Sequence, residues 1–174
     1  MAVVLVVLGI LSTVGIAVYG RYSASAHDAQ ATDLLAGIAQ GEQSWYLTHH
    51  AYVAVPDAAA TDTEHTLSAG SARTLLYHIA PGTGDTRTQY LTGDAAPSAF
   101  GQLSLAAGST SNGTALLALA TVSATGKCAG ALVAPAETGI KDIGPQILDP
   151  APADSRGITC TADAVLAAYS PTQP

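Results

Sequence analysis

The stretch MAVVLVVLGILSTVGIAVYG, residues 1–20, carries no charged side chain and continues without a proline into RYSASAHDAQATDLLAGIAQGEQSWY, residues 21–46. At about 1.5 Å per residue, a helix over the first stretch is about 30 Å long, which matches the hydrocarbon core of a bilayer. No helix stop occurs before about His49. The sequence therefore predicts one long helix whose apolar half leads into the stem of a globular domain.

The chain divides into three predicted segments. We expect an apolar transmembrane or filament-core helix over residues 1–22, an amphipathic continuation over residues 23–50 and a β-rich globular head over residues 51–174. Apolar side chains of the second segment recur on one face of a helix, whereas Asp28 and Glu42 fall mostly elsewhere. The side chains predicted to pack between helix and sheet are Leu34, Ile38, Trp45 and Tyr46.

The composition limits the functions that are open to the chain. Thirteen acidic and six basic side chains give a net charge of −7, and they are scattered without a run. An acidic surface with no basic patch argues against nucleic acid as a partner. Hydrophobic residues make up 48% of the 174, but many of them are alanines, which bury little area each. We therefore expect one modest head with a thin core.

Three interpretations compete for residues 1–20. A cleaved signal peptide needs a basic region before the apolar run, and no Lys or Arg precedes it. A plain membrane anchor is expected to have charges on both flanks, whereas Arg21 supplies one on the C-terminal side only. Small residues such as Gly9, Ser12 and Gly15 favour a helix that first lies in lipid and later packs among copies of itself. An ordinary anchor whose glycines are incidental remains an alternative.

The order of small and branched residues in this segment resembles the N-terminal segment of mature type IV pilins and of the related type II secretion pseudopilins. The residues that carry the resemblance are the sequence GIL at 9–11, followed by Tyr19 and Tyr22. The similarity extends through GEQSWY at 41–46 and, more loosely, to the cysteine-containing C-terminal part.

This resemblance implies a structural subunit that polymerises into an extracellular type IV pilus or pilus-like filament. It also implies that the unassembled subunit lies in the cytoplasmic membrane as a single-pass protein, and that pilus assembly machinery with an ATPase extracts it. The filament core would be a helical homopolymer of the N-terminal helices. Its packing side chains would be Val4, Leu5, Leu8, Gly9, Leu11, Ser12, Gly15, Ile16 and Tyr19.

Two departures from the family bear on this expectation. The family segment has further residues before the position of Met1, including a glutamate that guides assembly and a methylated first residue, and we expect these to precede Met1 in a longer chain. Ala17 stands where the family usually has a helix-bending proline. Any bending would therefore depend on Gly15 and Gly20, which are weaker helix breakers.

The head is predicted to be an antiparallel sheet laid on the apolar face of the helix, which makes an α+β fold. Residues 56–71 are expected to form a surface loop, and residues 134–157 lack any long regular run. A short helix over residues 165–169 is expected to dock near the C-terminus. The strand candidates are residues 74–80, 86–91, 102–107, 115–125 and 130–133, with a hairpin turn at 108–113.

The two cysteines of the chain, Cys128 and Cys160, both lie in its C-terminal third. A lone pair in a chain with a membrane or export segment predicts one disulfide formed outside the cytoplasm. Two buried free thiols remain an alternative, and zinc is disfavoured because neither a CxxC sequence nor a nearby His accompanies them. In pilins a disulfide-bounded C-terminal region is exposed and often carries adhesive properties.

No motif of catalysis or cofactor binding is present in the sequence. GxSxG, HExxH, phosphate-loop and dinucleotide fingerprints are all missing, and the adjacent His49 and His50 point in different directions on a helix. We therefore predict no enzyme, no cofactor and no metal. Two alternatives to a pilus subunit stay open: a pseudopilin of a type II secretion or DNA-uptake machine, and a membrane-anchored binding domain that never polymerises.

Overall fold

A computed structural model describes residues 2–55, 69–79, 88–110, 113–135, 143–153, 157 and 159–169, with side chains described from Val18 in the first helix and from Ala72 in the second. Within these residues the elements are α1 (Ala2–His49), α2 (Ala69–Ile79), β1 (Gln89–Leu91), β2 (Gln102–Ser109), β3 (Ala115–Val122), β4 (Cys128–Val133), β5 (Ile143–Ile147) and α3 (Ala162–Tyr169).

The first helix is continuous over 48 residues, which corresponds to about 70 Å at about 1.5 Å per residue. It passes through Gly15 and Gly20 without a break and ends at His49, as the sequence predicts. His50 follows with a φ of 52°, the left-handed conformation that commonly ends a helix. Where side chains are described, no helix is both long and apolar enough to cross a membrane.

The five strands form one sheet in the order β1-β2-β3-β4-β5. Strands β2 to β5 are joined as antiparallel neighbours. Of the turn predicted over residues 108–113, Gly108 and Ser109 belong to β2, Thr110 and Gly113 lie between β2 and β3, and residues 111 and 112 lie outside the described residues. The predicted α+β fold, a long helix packed on this sheet, is confirmed. One pairing differs: β1 runs parallel to β2, because residues 92–101 carry the chain back across the sheet before β2 begins.

Helices cover both faces of the sheet, and the central strand shows the division most clearly. Leu117 and Leu119 of β3 point to the core that contains α1, while Ala118 and Ala120 point to the opposite core. This alternation follows from the two-residue period of a strand. The second core includes Val165 of α3, so the predicted C-terminal helix docks there.

The strand predicted over residues 74–80 is wrong, because residues 74–79 belong to α2, which ends at Ile79; residue 80 lies outside the described residues. Ala72 and Leu76 are fully buried, while Leu75 and Ile79 pack partly buried against the same core. Their spacing of three, four and seven residues is that of one helix face, and a short window can also be taken as strand alternation. The predicted loop over residues 56–71 is also wrong at its end, since α2 begins at Ala69; its part up to residue 68 lies outside the described residues.

The sequence predicts no long regular run over residues 134–157, and the one regular element described there is β5, a strand of five residues. Its sequence, IGPQI, contains the two residue types that weaken strands most. Pro145 is tolerated because β5 is an edge strand and because the ladder with β4 shifts register between Gly130 and Leu132. Two other strands are shorter than predicted: β1 begins at Gln89 and β3 ends at Val122.

Candidate functional surface on the first helix

The C-terminal part of α1 is embedded in the head through one stripe of side chains. Ala31, Leu35 and Ile38 are fully buried against the leucines of the sheet. Steps of four and three residues keep these side chains on one helix face. Burial of a Leu or Ile side chain stabilises the folded state by about 1.5–3 kcal/mol, so this stripe holds α1 firmly.

Of the four side chains predicted to lie between helix and sheet, Ile38 is fully buried, and Leu34 and Trp45 pack partly buried against the same core. Tyr46 is partly buried, and its ring stacks on Tyr52 with 4.7 Å between ring centroids. Tyr52 belongs to the chain that returns after α1 ends. The aromatic residues at this end of α1 therefore fasten the returning chain as well as the helix.

A polar clamp marks the place where α1 leaves the head. Asp28 accepts hydrogen bonds from the Thr125 hydroxyl at 2.5 Å and from the Lys127 ammonium at 2.7 Å. Both donors lie in the turn between β3 and β4, about a hundred residues along the chain. The hydrogen bond from Lys127, with that from Thr125, lowers the pKa of the Asp28 carboxyl below its usual value. The carboxylate is therefore the favoured form at the base of the head.

Beyond this clamp, the side chains of α1 from Val18 to Tyr22 are exposed. Tyr19 and Tyr22 are 77% and 79% exposed, and Val18 is 60% exposed. These three are half of the large hydrophobic side chains that are exposed in the described part of the chain; the others are Leu47, Tyr77 and Phe100. An apolar surface of this kind on a protruding helix is typical of an interaction site.

The residues predicted for the filament core lie on this projecting part. The backbones of Val4, Leu5, Leu8, Gly9, Leu11, Ser12, Gly15 and Ile16 are helical, and their side chains lie outside the described residues. Tyr19 is described and exposed.

Both edges of the sheet are protected against pairing with another strand. Side chains of α2 donate hydrogen bonds along the outer edge of β1. Arg73 Nε donates to the Tyr90 oxygen of β1 at 3.0 Å, and the Tyr77 hydroxyl donates at 2.6 Å to the oxygen of Thr88, the residue before β1. At the other edge, β5 carries Pro145, which has no N–H to donate. Proline and covering side chains are usual means of preventing edge-to-edge association of sheets.

Glu42 is fully buried, which corrects the prediction that it lies away from the packed face. Its Oε2 atom accepts a hydrogen bond from the Val53 N–H at 2.8 Å, while Oε1 has no hydrogen-bond partner in the described structure. Burial raises the pKa of the carboxyl to about 7, although the Val53 N–H acts in the opposite direction. The signal was present in the sequence, because Glu42 continues the stripe of Leu35 and Ile38 by four residues.

The predicted disulfide between Cys128 and Cys160 is confirmed. Cys128 begins β4, and Cys160 lies two residues before α3, so the bond joins the sheet to the helix on its second face. Hydrogen bonds support the same junction. Ser104 Oγ of β2 accepts from the Ala162 N–H at 3.0 Å, and Gly93 O accepts from the Asp163 N–H at 3.0 Å.

In the part of the chain that the structure describes, no cluster of three or more His, Cys, Asp or Glu side chains could hold a metal ion. A comparison of the chain with protein-family models, with curated proteins and with solved structures finds no match. The surface with the clearest geometry for function is therefore the exposed helix, defined here by Val18, Tyr19 and Tyr22.

Proposed function

We propose that this chain is a structural subunit that polymerises through its N-terminal helix into an extracellular type IV pilus or a pilus-like filament. The observation that carries the proposal is the division of α1 into two parts. One part is buried in the head by Leu35 and Ile38, and the other projects with Tyr19 and Tyr22 exposed. A helix that is built into its own domain and also presents an apolar surface beyond it is suited to packing against copies of itself.

The protected sheet edges support assembly by helices rather than by strands. Polymers that grow by strand addition need an edge with free backbone donors and acceptors. Here the Arg73 and Tyr77 side chains occupy the β1 edge, and Pro145 interrupts the β5 edge. The exposed Val18, Tyr19 and Tyr22 of the projecting helix offer a surface for a repeated contact between subunits.

The uncharged residues 1–20 suggest where the subunit lies and what it contacts before assembly. Such a segment would hold the unassembled subunit in the cytoplasmic membrane, and assembly machinery would move it into the filament. Exchange of lipid for neighbouring helices costs little because both surroundings are apolar. The chain has a net negative charge, and its head would face outward on the fibre.

Electron microscopy of fibres sheared from the cell surface, with mass spectrometry of their subunit, tests this proposal. We expect cells that produce the native protein to yield fibres that contain this chain. Tyr19→Asp should abolish them, because a charge would be buried among packed helices. Leu47→Asp is a matched control, since Leu47 lies on the same helix with the same 77% exposure but at the head.

Two results would contradict the proposal. One is recovery of the native chain only as a monomer in detergent, which would favour a membrane-anchored domain that never polymerises. The other is fibre formation by Tyr19→Asp to the same extent as by Leu47→Asp. Fibres that are present but uniformly short would favour the pseudopilin alternative.

A further inference from the structure

Glu42 lies at a junction of three segments of the head. After the left-handed His50, the chain turns back along α1, and residues 51–55, called here the return segment, place Val53 and Val55 in the core. The hydrogen bond from the Val53 N–H to Glu42 Oε2 ties this segment to α1. The end of α2 meets α1 one residue away, where a Cβ at Gly41 would lie 2.6 Å from the Ile79 oxygen.

Within the described residues, the charged and titratable side chains on the surrounding elements make contacts of their own or are exposed. His49 Nδ1 lies 3.2 Å from the Trp45 oxygen, Tyr52 stacks on Tyr46, and Arg73 donates to the Tyr90 oxygen. His78 is exposed on α2, and Tyr77 donates to the Thr88 oxygen. Strands β3, β4 and β5, which pack against α1, carry no ionisable side chain within their bounds except the disulfide-bonded Cys128.

An ionised Glu42 carboxylate would thus be buried with one N–H as its partner. One hydrogen bond does not replace the hydration that a carboxylate loses on burial. The neutral carboxyl is tolerated better, because its Oε2 still accepts from Val53 and no net charge is buried. The closed return segment is therefore compatible with the neutral form, and ionisation favours any opening that admits water.

We propose that Glu42 and the return segment form a pH-operated latch, which is closed while the carboxyl is protonated and opens to water when it ionises. The latch is a property of the head, and it stands independently of filament assembly. Its opening would release residues 51–55, and with them the start of the connection from α1 to α2.

The size of the pH effect on latch opening follows from the proton affinities of Glu42 in the closed and open states. The pKa of Glu42 is about 7 in the closed state, and its ordinary value is 4.5. If the opened segment restores the ordinary value, the equilibrium constant for opening rises about thirtyfold between about pH 5.5 and pH 8.5. Opening increases with pH because the open state releases its proton first.

Hydrogen–deuterium exchange of the full chain in detergent micelles tests the latch. Protection factors for residues 51–55, with the intrinsic pH dependence of exchange removed, should fall about thirtyfold from about pH 5.5 to about pH 8.5. Glu42→Gln, which keeps an acceptor but cannot ionise, should remove this dependence. Asp33→Asn is the matched control, because Asp33 is an exposed carboxyl on the same helix and its loss should leave the dependence intact.

Three results would overturn the latch. They are a native protection factor that does not change with pH, a fall that persists in Glu42→Gln, and protection of residues 51–55 that equals that of the buried strand β3 at each pH, which would indicate exchange by global unfolding alone. If Glu42→Gln fails to fold, the protection factors of residues 51–55 and of β3 in the native chain still show whether the return segment opens locally. None of these measurements depends on whether fibres form.

Discussion

At the scale of single residues, the buried Glu42 links the stability of the folded chain to pH. A buried acid whose pKa is raised from 4.5 to about 7 keeps its proton in the folded state after the unfolded chain has lost it. The folded state is therefore most stable below pH 4.5 with respect to this group. Its free energy of unfolding falls as the pH rises to about 7, by about 3 kcal/mol in total at 1.36 kcal/mol per pKa unit.

Glu42→Gln should accordingly stabilise the chain at pH 8 by up to about 3 kcal/mol and change little at pH 4.5. The measurement is urea unfolding of the full chain in detergent at the two pH values. Asp33→Asn should leave the free energy of unfolding nearly unchanged at both, because its carboxyl is exposed. A destabilised Glu42→Gln at pH 8 would show that the ionised carboxylate is the favoured native form.

The sequence allowed some of these residues to be predicted and concealed others. Ile38 and the two cysteines follow from helical spacing and from cysteine count, which are local properties. Glu42 continues the same spacing. Because a carboxyl is expected on the solvent side of a helix, the sequence predicts Glu42 to be away from the packed face. Asp28 could not be paired with Lys127 from the sequence, because nearly a hundred residues separate them.

At the scale of elements, long and strongly patterned segments were predictable, whereas short ones were not. The helix α1 and the strands β2, β3 and β4 were located correctly because their patterns extend over many residues. Helix α2 has 11 residues, and in so short a window the spacing of Leu75, Leu76 and Ile79 does not separate a helix from a strand. Strand β5 exists because β4 offers it a partner, which is tertiary context that IGPQI alone does not reveal.

The contact between α2 and the edge of β1 leads to a prediction at this scale. Tyr77→Phe removes the hydroxyl that donates to the Thr88 oxygen at 2.6 Å, and Thr88 is buried. The loss of such a hydrogen bond should lower the free energy of unfolding by about 1 kcal/mol. Tyr22→Phe is the matched control, because Tyr22 is 79% exposed on the projecting helix and should lose almost nothing.

Combining Tyr77→Phe with Arg73→Ala leaves the outer edge of β1 without the two donors from α2. The exposed edge should then promote association between sheets, measured as concentration-dependent thioflavin fluorescence in detergent. Equal fluorescence in the double variant and in Tyr22→Phe would show that these side chains do not protect the edge.

At the scale of the whole molecule, the two faces of the sheet are secured by different means. The first face carries α1, α2 and the return segment, and its core contains large side chains such as Leu117 and Leu119. The second face carries α3, which has only eight residues, over a core rich in alanine. A helix of eight residues is not stable alone, so α3 depends on its attachments to the sheet.

The disulfide between Cys128 and Cys160 is the covalent attachment, and its two cysteines have a sequence separation of 32. The double variant Cys128→Ser, Cys160→Ser should lose about 3–4 kcal/mol of stability, because closing a loop of this length restricts the unfolded chain. Hydrogen exchange should show the loss first at α3 and only later at α1, which the first core holds independently. Native protein treated with a reductant should behave like the double variant. Equal loss of protection at α1 and α3 would instead mean that the two faces unfold as one cooperative unit, whose stability the disulfide supports as a whole.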